Sequence, residues 1–333
     1  MHMADALVSP AVAGTMYAVS TAAAAYAVKE IKLEDLDRKV PAMGVMGAFV
    51  FATQMINFTI PGTGSSGHLC GGMLLGAILG PCGGFLTMIA ILAIQCLLFA
   101  DGGLLALGCN VWNMAFYGCF VGGFLIWRTV TGKKMTKGRI TAASIIGCIA
   151  GLQLGAFSVT LQTLLSGITE LPFAVFLGMM QPIHLAIGLV EGLITAAVLV
   201  FIYEARPEIL YGYTKEAGKS AGRMSRKGAV TALAVMALII GGVVSLFASG
   251  NPDGLEWSME KVAGTAELAA SGNVYRIAEK LQGITAILPD YAFKASDSAA
   301  GTSFSGIVGG VIVLVACFFI CMLVKKARQA KEQ

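Results

Sequence analysis

Arg128-Thr-Val-Thr-Gly-Lys-Lys-Met-Thr-Lys-Gly-Arg139 is a loop with five basic residues and no acidic residue, and an apolar run lies on either side of it. Short basic loops of this kind stay on the cytoplasmic side of a membrane, so this loop sets the orientation of the chain. Each neighbouring run has about the 20 residues with which an apolar helix crosses a bilayer. The stretch therefore predicts a polytopic helical membrane protein whose residues 128–139 are cytoplasmic.

The composition of the whole chain also indicates a membrane protein. Hydrophobic residues make up 56% of the 333 positions, charged residues make up 13%, and the mean hydropathy is +0.78. The 42 glycines are typical of helices that pack closely inside a bilayer. The net charge of +4 does not indicate a nucleic-acid partner, because the basic residues are concentrated in short blocks beside apolar runs.

Apolar segments and charged blocks divide the chain. The apolar segments are predicted at residues 11–28, 41–60, 69–80, 83–100, 109–127, 141–165, 175–203, 229–248 and 306–324, and the charged blocks lie at 29–39, 128–139, 204–227 and 325–333. Segment 69–80 is short, but all four charged blocks fall on one side of the membrane only if it crosses. The prediction is an all-α protein with a seven-helix bundle in residues 1–227. An accessory part in residues 228–333 adds two further transmembrane helices.

The polar segment between the last two spans, residues 250–305, is predicted to be a small extracytoplasmic domain. It holds seven acidic and four basic residues and contains Asn251-Pro-Asp-Gly254, a turn signal. About fifty residues are too few to enclose a large core of their own. We therefore expect the segment to lean on the bundle, on a partner, or on both. The same topology puts the N-terminus outside and the C-terminus in the cytoplasm.

All eight cysteines lie in or beside apolar segments, and none falls in residues 250–305. A disulfide framework is therefore not expected, and buried free thiols are the favoured interpretation. Cys317 and Cys321 lie four residues apart on one helix, which packing explains more simply than a metal site does.

The chain begins with Met1-His2, and a free terminal amine next to a histidine is a ready-made metal chelate. The amine, the main-chain nitrogen of His2 and Nδ1 of its ring can bind one ion in a plane, and a second imidazole can take the fourth corner. Only His68 and His184 remain to supply it. A planar set of nitrogen donors suits Ni²⁺ or Cu²⁺ better than Zn²⁺ or Mg²⁺. Protons compete for these donors, so binding should weaken as the pH falls.

Three motifs carry a family resemblance: Met1-His2, Gly64-Ser-Ser-Gly-His-Leu-Cys-Gly-Gly72 and Gly108-Cys-Asn-Val-Trp-Asn-Met114. With them the chain resembles the metal-binding membrane subunit (CbiM/NikM type) of energy-coupling-factor (ECF) transporters for nickel and cobalt. Pro252-Asp-Gly-Leu-Glu-Trp257 is similar to the small accessory subunit (CbiN/NikN type) of those systems, here fused to the bundle. The resemblance implies a seven-helix body without a cofactor and ATP-dependent import of Ni²⁺, or of Co²⁺ for cobalamin biosynthesis.

In this family the ion is held by the terminal amine, by the main-chain nitrogen and side chain of the second residue, and by a histidine in a loop after the second helix. The resemblance assigns these roles to Met1, His2 and His68. The Ser-Gly-His-Leu form of the loop resembles nickel-type members more than cobalt-type members, so the resemblance favours nickel. The resemblance also implies two kinds of partner in the cytoplasmic membrane, a transmembrane coupling subunit and ATP-binding cassette ATPase subunits, in addition to membrane lipid.

Five polar residues are candidates for holding the ligands in place. Asp5 is expected to help fold the N-terminal peptide back, Asn110 and Asn113 to hold that peptide by amide hydrogen bonds, and Ser65 and Ser66 either to cap the helix that follows or to orient His68.

Gly44, Ala48 and Ala52 form a row of small residues on one face of the second span. Such a row lets another helix approach closely. By resemblance the row docks the coupling subunit, but packing within this chain explains it equally well.

Two other functions remain open at this point. Gly64-Ser-Ser-Gly67 fits the Gly-x-Ser-Gly pattern of rhomboid-like intramembrane serine proteases, with His184 as a base for Ser66. His184 and Glu191 lie seven residues apart on one helix face and would suit an ion-coupled secondary carrier. For Glu191 itself, a structural polar contact is favoured over a direct metal role. The favoured interpretation is a subunit that binds and translocates a metal ion, not an enzyme.

Overall fold

A computed structural model describes residues 1–31, 33–132, 134–214, 224–294 and 299–332. Ten helices dominate the fold: α1 (Pro10–Glu30), α2 (Leu33–Gln54), α3 (Gly72–Phe99), α4 (Leu107–Thr131), α5 (Lys137–Ser166), α6 (Phe173–Ala205), α7 (Arg226–Gly242), α8 (Gly254–Ala263), α9 (Asn273–Thr285) and α10 (Ala299–Glu332). Two short strands, β1 (Phe58–Ile60) and β2 (Ser65–Gly67), pair antiparallel. The predicted all-α polytopic architecture is confirmed.

Within the described residues, seven helices are long and apolar enough to cross a membrane. They are α1, α3, α4, α5, α6, α10 and a helix over Lys227–Phe247 that extends α7. The side chains of residues 32–40, in the first half of α2, lie outside the described part. So do residues 133, 215–223 and the side chains of 327–333, which belong to the charged blocks predicted from the sequence.

The helix α3 is a hairpin and not a straight rod. At Gly80 the backbone leaves the helical region, with φ 79° and ψ 168°, and Pro81 follows. The backbone of Gly84 lies against Leu75 and Gly76, so that a Cβ on Gly84 would be 2.9 Å from the nitrogen of Gly76. Residues nine apart in a continuous helix are separated by about 13 Å. The chain must therefore reverse direction at Gly80-Pro81.

The two arms of this hairpin correspond to the predicted segments 69–80 and 83–100. The short arm ends where Gly80 meets the ring of Tyr211, just beyond the end of α6. The long arm returns towards the N-terminal peptide, where Gln95 lies beside His2. The eight helical residues of the short arm, 72–79, span only about 12 Å. The extended loop from β2 to Gly72 therefore makes up the rest of the crossing.

The accessory part packs on the bundle through its helices and its polar segment. Helices α7 and α10 lie against α2, α8 lies against α6 and β2, and α9 lies against α3. Main-chain hydrogen bonds run from Ser249 N to Asn57 O at 2.7 Å and from Leu288 N to Leu98 O at 3.1 Å. The described residues of the segment 250–305 therefore lean on the bundle, which is one of the two kinds of support expected for so small a segment.

The small-residue row of α2 faces other helices of this chain. A Cβ on Gly44 would lie 3.2 Å from a leucine side chain of α10, and Ala48 is 3.8 Å from the Cβ position of Gly310 in the same helix. The Cβ of Ala52 is 3.3 Å from the Cβ position of Gly241 in α7. Packing within the chain was one of the two explanations of this row. A coupling subunit that docked on it would have to displace α7 and α10.

Seven of the eight cysteines are buried, and Cys82 is half-buried. Among the described residues no disulfide is formed. The thiols fill space inside the helical bundle, as their apolar sequence context predicts.

Candidate metal centre

The N-terminal peptide is folded into the bundle and does not project from it. Met1 is 4% exposed and Met3 is fully buried. After a single helical turn at Asp5–Leu7, Ser9 caps α1 by accepting a main-chain N–H of its first turn at 3.4 Å. Pro10 takes the first helical position, where its missing N–H has no consequence. A chain end is ordinarily frayed and exposed, so specific contacts must hold this one.

Hydrogen bonds to the start of α4 and the loop before it hold the peptide. Met3 N donates to Asn110 Oδ1 at 2.7 Å, and Asn110 Nδ2 donates back to Met3 O at 3.2 Å. Gly103 N also donates to Met3 O, at 2.9 Å, and Ala106 N donates to Asp5 Oδ1 at 3.0 Å. A side chain at position 103 would collide with Asp5, so this loop approaches the peptide closely only because Gly103 has none. Asn110 and Asp5 position the chain end.

The terminal amine of Met1 lies between His68 and Asp253. Its nitrogen is 3.0 Å from His68 Nε2, and it donates to Asp253 Oδ2 at 2.6 Å. His68 Nδ1 donates to Leu69 O at 3.1 Å, which leaves Nε2 with a lone pair. Two nitrogens on adjacent corners of a square, each about 2.0–2.1 Å from an ion, would lie about 2.9 Å apart. The amine and His68 Nε2 therefore have the spacing of two ligands of one ion.

The ring of His2 lies beside this pair but is turned away from the amine. It stacks on the ring of His68, with centroids 5.2 Å apart and an interplanar angle of 21°. Its Nδ1 lies 3.0 Å from Asp101 Oδ1, and its Nε2 lies 3.3 Å from Gln95 Oε1. Tyr291 of the accessory part donates to the other oxygen of Asp101 at 2.5 Å. To form the chelate, the ring must rotate so that Nδ1 leaves Asp101.

Burial keeps both imidazoles of the centre neutral. Burial, together with the positive charge on the amine, lowers the pKa of His2 and that of His68 to about 3. Burial alone would raise the pKa of Asp253, but the ammonium group of Met1 and the ring of His68 hold that pKa well below its usual range. The centre therefore holds two imidazoles in the form that binds metal ions, next to one ammonium–carboxylate pair.

The loop that carries His68 is anchored by Glu191 of α6. Cys70 N and Gly71 N each donate to one oxygen of its carboxylate, both at 2.9 Å. Glu191 is only 1% exposed, so these two hydrogen bonds replace the water that the carboxylate has lost. Glu191 makes a structural contact, the role that its sequence favours, and it sets the depth at which His68 lies.

Ser65 and Ser66 do not have the role that we predicted. The N-cap of α3 is Gly71, with φ 78°, and the described hydrogen bonds of the two serines do not reach the imidazole. Instead, Ser66 N donates to Pro252 O at 2.8 Å and its hydroxyl donates to Asn251 O at 2.7 Å. The two serines lie in strand β2, and the accessory part accepts hydrogen bonds from the edge of this strand. Their function is to join the two parts of the chain.

Comparison with known proteins identifies the family. The family described as the cobalt uptake substrate-specific transmembrane region (CbiM) matches residues 2–209, and the PDGLE domain family matches residues 227–326. A putative fused nickel transport protein NikMN from Archaeoglobus fulgidus is 36% identical over 328 residues, which are 98% of this chain and 100% of that protein. The chain belongs to the CbiM family.

Other members and a solved structure agree with this assignment. A fused nickel transport protein NikMN from Rhodobacter capsulatus is 27% identical over 321 residues, 88% of each chain. A cobalt transport protein CbiM from Geobacter sulfurreducens is 29% identical over 249 residues, 72% of this chain and 70% of that one. The crystal structure of a truncated transition metal transporter is 32% identical, with a TM-score of 0.52 over 61% of this chain and 99% of that chain. CbiM-family proteins are metal transport proteins and not enzymes.

An acidic cavity of about 680 Å³ opens onto the centre of this CbiM-family protein, between the bundle and the accessory part. Six carboxylates line it: Asp5, Asp101, Asp253, Glu256, Glu279 and Asp290. Among the described residues that line it there is no lysine or arginine. A cleft lined by one sign of charge raises the local concentration of oppositely charged ions. His2 and His68 also lie on its wall, so the cavity connects the surface with the centre.

The CbiM-family chain does not form the side-chain pairs that the two alternative functions need. His184 Nδ1 donates to Met180 O at 2.8 Å, and its Nε2 has no partner among the described residues. The hydroxyl of Ser66 donates to a main-chain carbonyl, and both oxygens of Glu191 accept from the His68 loop. Neither a Ser66–His184 pair nor a His184–Glu191 pair is present in the described part of the chain.

Several residues of the centre were not assigned to it in the sequence analysis. In the described part of the chain no three side chains of histidine, cysteine, aspartate or glutamate form a metal cage. Asp253 and Glu256 form a capping box that starts α8, and their spacing in the sequence signals this helix start. No local pattern signals that the Asp253 carboxylate also reaches Met1. Asn113 was predicted to hold the N-terminal peptide by amide hydrogen bonds, and among the described hydrogen bonds it reaches the peptide at Met3 Sδ, at 3.4 Å, while its amide pairs with Gln162 at 2.8 Å and 3.0 Å.

Proposed function

We propose that this protein is the metal-binding transmembrane subunit of an ATP-dependent importer of the ECF type. The observation that carries the proposal is the 3.0 Å distance between the amine of Met1 and Nε2 of His68, in a buried centre beside the neutral ring of His2. Ni²⁺ is the favoured ion and Co²⁺ the alternative. A planar nitrogen set suits Ni²⁺, and relatives from Archaeoglobus fulgidus and Rhodobacter capsulatus are named as nickel transport proteins.

Loading of the ion requires three local changes. The amine loses its proton and its ion pair with Asp253, the amide of His2 loses its proton to solvent, and the His2 ring rotates so that Nδ1 leaves Asp101. The amine, the main-chain nitrogen and Nδ1 of His2, and Nε2 of His68 then hold the ion in one plane. Asp253 and Asp101 stay close by, and their negative charge offsets that of the cation.

The accessory part, residues 228–333, would control this loading step. It supplies Asp253 to the amine and Tyr291 to Asp101, and it is joined to the His68 loop through Ser66. Movement of the segment 250–305 would therefore change both partners that the ligands must leave. In this proposal the segment and the N-terminus are extracytoplasmic, and the basic loop 128–139 and the C-terminus are cytoplasmic.

Release into the cytoplasm would depend on separate subunits. A coupling subunit and ATP-binding cassette ATPases would reorient or open the bundle, and Gly44, Ala48 and Ala52 remain a candidate docking row if α7 and α10 move away. The bundle itself would supply binding and a path, and hydrolysis of ATP would occur elsewhere.

The test is whether the chain end itself binds the ion. A chain with an N-terminal extension that a protease removes to regenerate Met1 should bind Ni²⁺ with high affinity only after cleavage. His2→Ala should lower the affinity on the order of hundredfold or more, because a chelating ring is lost. Glu267→Ala, an exposed change in the accessory segment, is the control and should leave the affinity unchanged. Calorimetry that gives the same Ni²⁺ affinity before and after cleavage would contradict the proposal.

A further inference from the structure

A second, small cavity lies next to the metal centre and shares His68 and Asp253 with the acidic cavity. Its volume is about 10 Å³, which is room for one ion or one water molecule. Met1 and His68 form part of its wall, and Cys70, Met114 and His184 form another part. The same cavity therefore touches two ligands of the proposed chelate and one histidine that the chelate does not use.

His184 has the environment of a metal ligand. It is 1% exposed and lies on the inner face of α6. Because Nδ1 donates to Met180 O at 2.8 Å, the ring proton is on Nδ1, and Nε2 carries a lone pair. This lone pair has no hydrogen-bond partner in the described part of the chain. A buried unpaired nitrogen is costly and calls for a partner that the protein alone does not supply. Metal-binding histidines are commonly oriented by such a contact of the other ring nitrogen.

The other walls of the cavity suit a late transition metal. Cys70, Met114 and Asp253 line it beside His184, and imidazole and sulfur are donor types that such ions prefer over oxygen. Glu191, two turns further along α6, does not compete for the ion, because both of its oxygens already accept main-chain hydrogen bonds.

We propose that Nε2 of His184 is an inner binding site for the transported ion. The ion would pass from the outer chelate into the small cavity by ligand exchange, in which the bond to His68 Nε2 breaks as a bond to His184 Nε2 forms. No electron is transferred, and the imidazole is already in its neutral form. This inference rests on the proposed function, since it extends the path of the ion one step into the bundle.

The experiment isolates the inner site by removing both imidazoles of the outer one. In the full-length chain carrying His2→Ala and His68→Ala, calorimetry with Co²⁺ should find one residual site. Adding His184→Asn should weaken this site on the order of tenfold or more. Asparagine keeps an amide that can donate to Met180 O, but it has no counterpart of Nε2. Thr195→Val, another buried polar residue of α6, is the matched control and should keep the residual site. Thermal unfolding verifies that each variant folds.

X-ray absorption detects the donor atoms around Co²⁺. The signal from an imidazole donor would not change if His184 had only a structural role. Co²⁺ bound to the chain without His2 and His68 should show imidazole scattering, and His184→Asn should remove it. A residual site that His184→Asn leaves unchanged, or a doubly substituted chain that binds no Co²⁺, would overturn the inner site and leave the outer chelate standing. Wild-type affinity in the doubly substituted chain would instead overturn the proposed function, and the inner site with it.

Discussion

At the scale of single residues, the terminal nitrogen of Met1 controls what the centre can bind. As an ammonium group it donates to Asp253 at 2.6 Å, and as a neutral amine it can share an ion with His68 Nε2, 3.0 Å away. The two imidazoles need no such change, because burial has already lowered the pKa of each to about 3. Proton release on metal binding is therefore expected to come from main-chain nitrogens.

The number of protons released on Ni²⁺ binding follows from which of the donors carry a proton beforehand. Near neutral pH we expect about two protons per Ni²⁺, one from the amine of Met1 and one from the amide of His2. Since the pKa of each imidazole is about 3, neither ring contributes, and affinity falls with decreasing pH because of the main-chain protons alone. Calorimetry in buffers of different ionisation enthalpy counts the protons. A release of three or four would mean that the rings are charged before binding.

Glu191 provides a second residue-scale prediction. Glu191→Gln leaves one acceptor oxygen for two N–H groups and turns an NH₂ towards the other, so the loop that carries His68 should loosen. Hydrogen bonds to a charged group contribute about 1.5–3 kcal/mol each, and we expect a roughly ten- to hundredfold loss of Ni²⁺ affinity. Glu208→Gln, which changes an exposed acid paired with Arg206, should have little effect. Equal Ni²⁺ affinities in the two variants would show that Glu191 does not hold the His68 loop in the position that metal binding needs.

At the scale of elements, the α3 hairpin and the loop before it allow His68 to reach the centre. The loop descends into the bundle, and the short arm completes the crossing with only eight helical residues. The turn at Gly80-Pro81 makes this possible, since Gly80 has a φ of 79° and a ψ of 168° that other residues rarely adopt. Its Cα also lies close to Tyr211, which leaves no room for a side chain.

The turn can be tested by adding one methyl group. Gly80→Ala should lower the free energy of unfolding by about 2–4 kcal/mol, because it combines backbone strain with a Cβ 2.8 Å from the Tyr211 ring. Gly178→Ala, in regular helix with open space around it, is the matched control and should be neutral or stabilising. Thermal unfolding in detergent measures both. A neutral Gly80→Ala would show that the turn is not tightly constrained.

The sequence predicts the helices of this protein better than it predicts the contacts between distant residues. The apolar length of a segment is a local property, and it locates the candidate spans and the two arms of the α3 hairpin, at 69–80 and 83–100. Met1, His2 and His68 are suggested by residue type and family resemblance. The role of Asp253, which lies 252 positions from Met1, depends on how α8 docks, and no local pattern encodes that. Ser66 was assigned to the wrong partner for the same reason, since the accessory part reaches β2 only in the folded chain.

At the scale of the whole molecule, the acidic cavity and the basic loop 128–139 lie at opposite ends of the bundle. Six carboxylates surround the entrance to the centre, and the loop contains basic residues only. In the proposed orientation the acidic end collects cations outside the cell, and the basic end faces the cytoplasm. Helices α8 and α9 of the accessory part then cover the outer end.

Labelling from one side of the membrane tests this orientation. Because seven of the eight native thiols are buried, a new exposed cysteine should dominate the reaction with an impermeant maleimide. Glu267→Cys in the accessory segment should react in intact cells, and Lys134→Cys in the basic loop should react only after the membrane is opened. The reverse pattern would invert the topology and, with it, the direction of transport.

The most direct test of the metal centre is X-ray absorption on the Ni²⁺-loaded full-length chain. We predict a spectrum with four nitrogen donors in a plane, two of them from imidazole rings. This spectrum should be lost when one residue precedes Met1. A six-coordinate, oxygen-rich ion, or a planar spectrum that survives the added residue, would contradict the claim that the chain end and His68 bind the metal together.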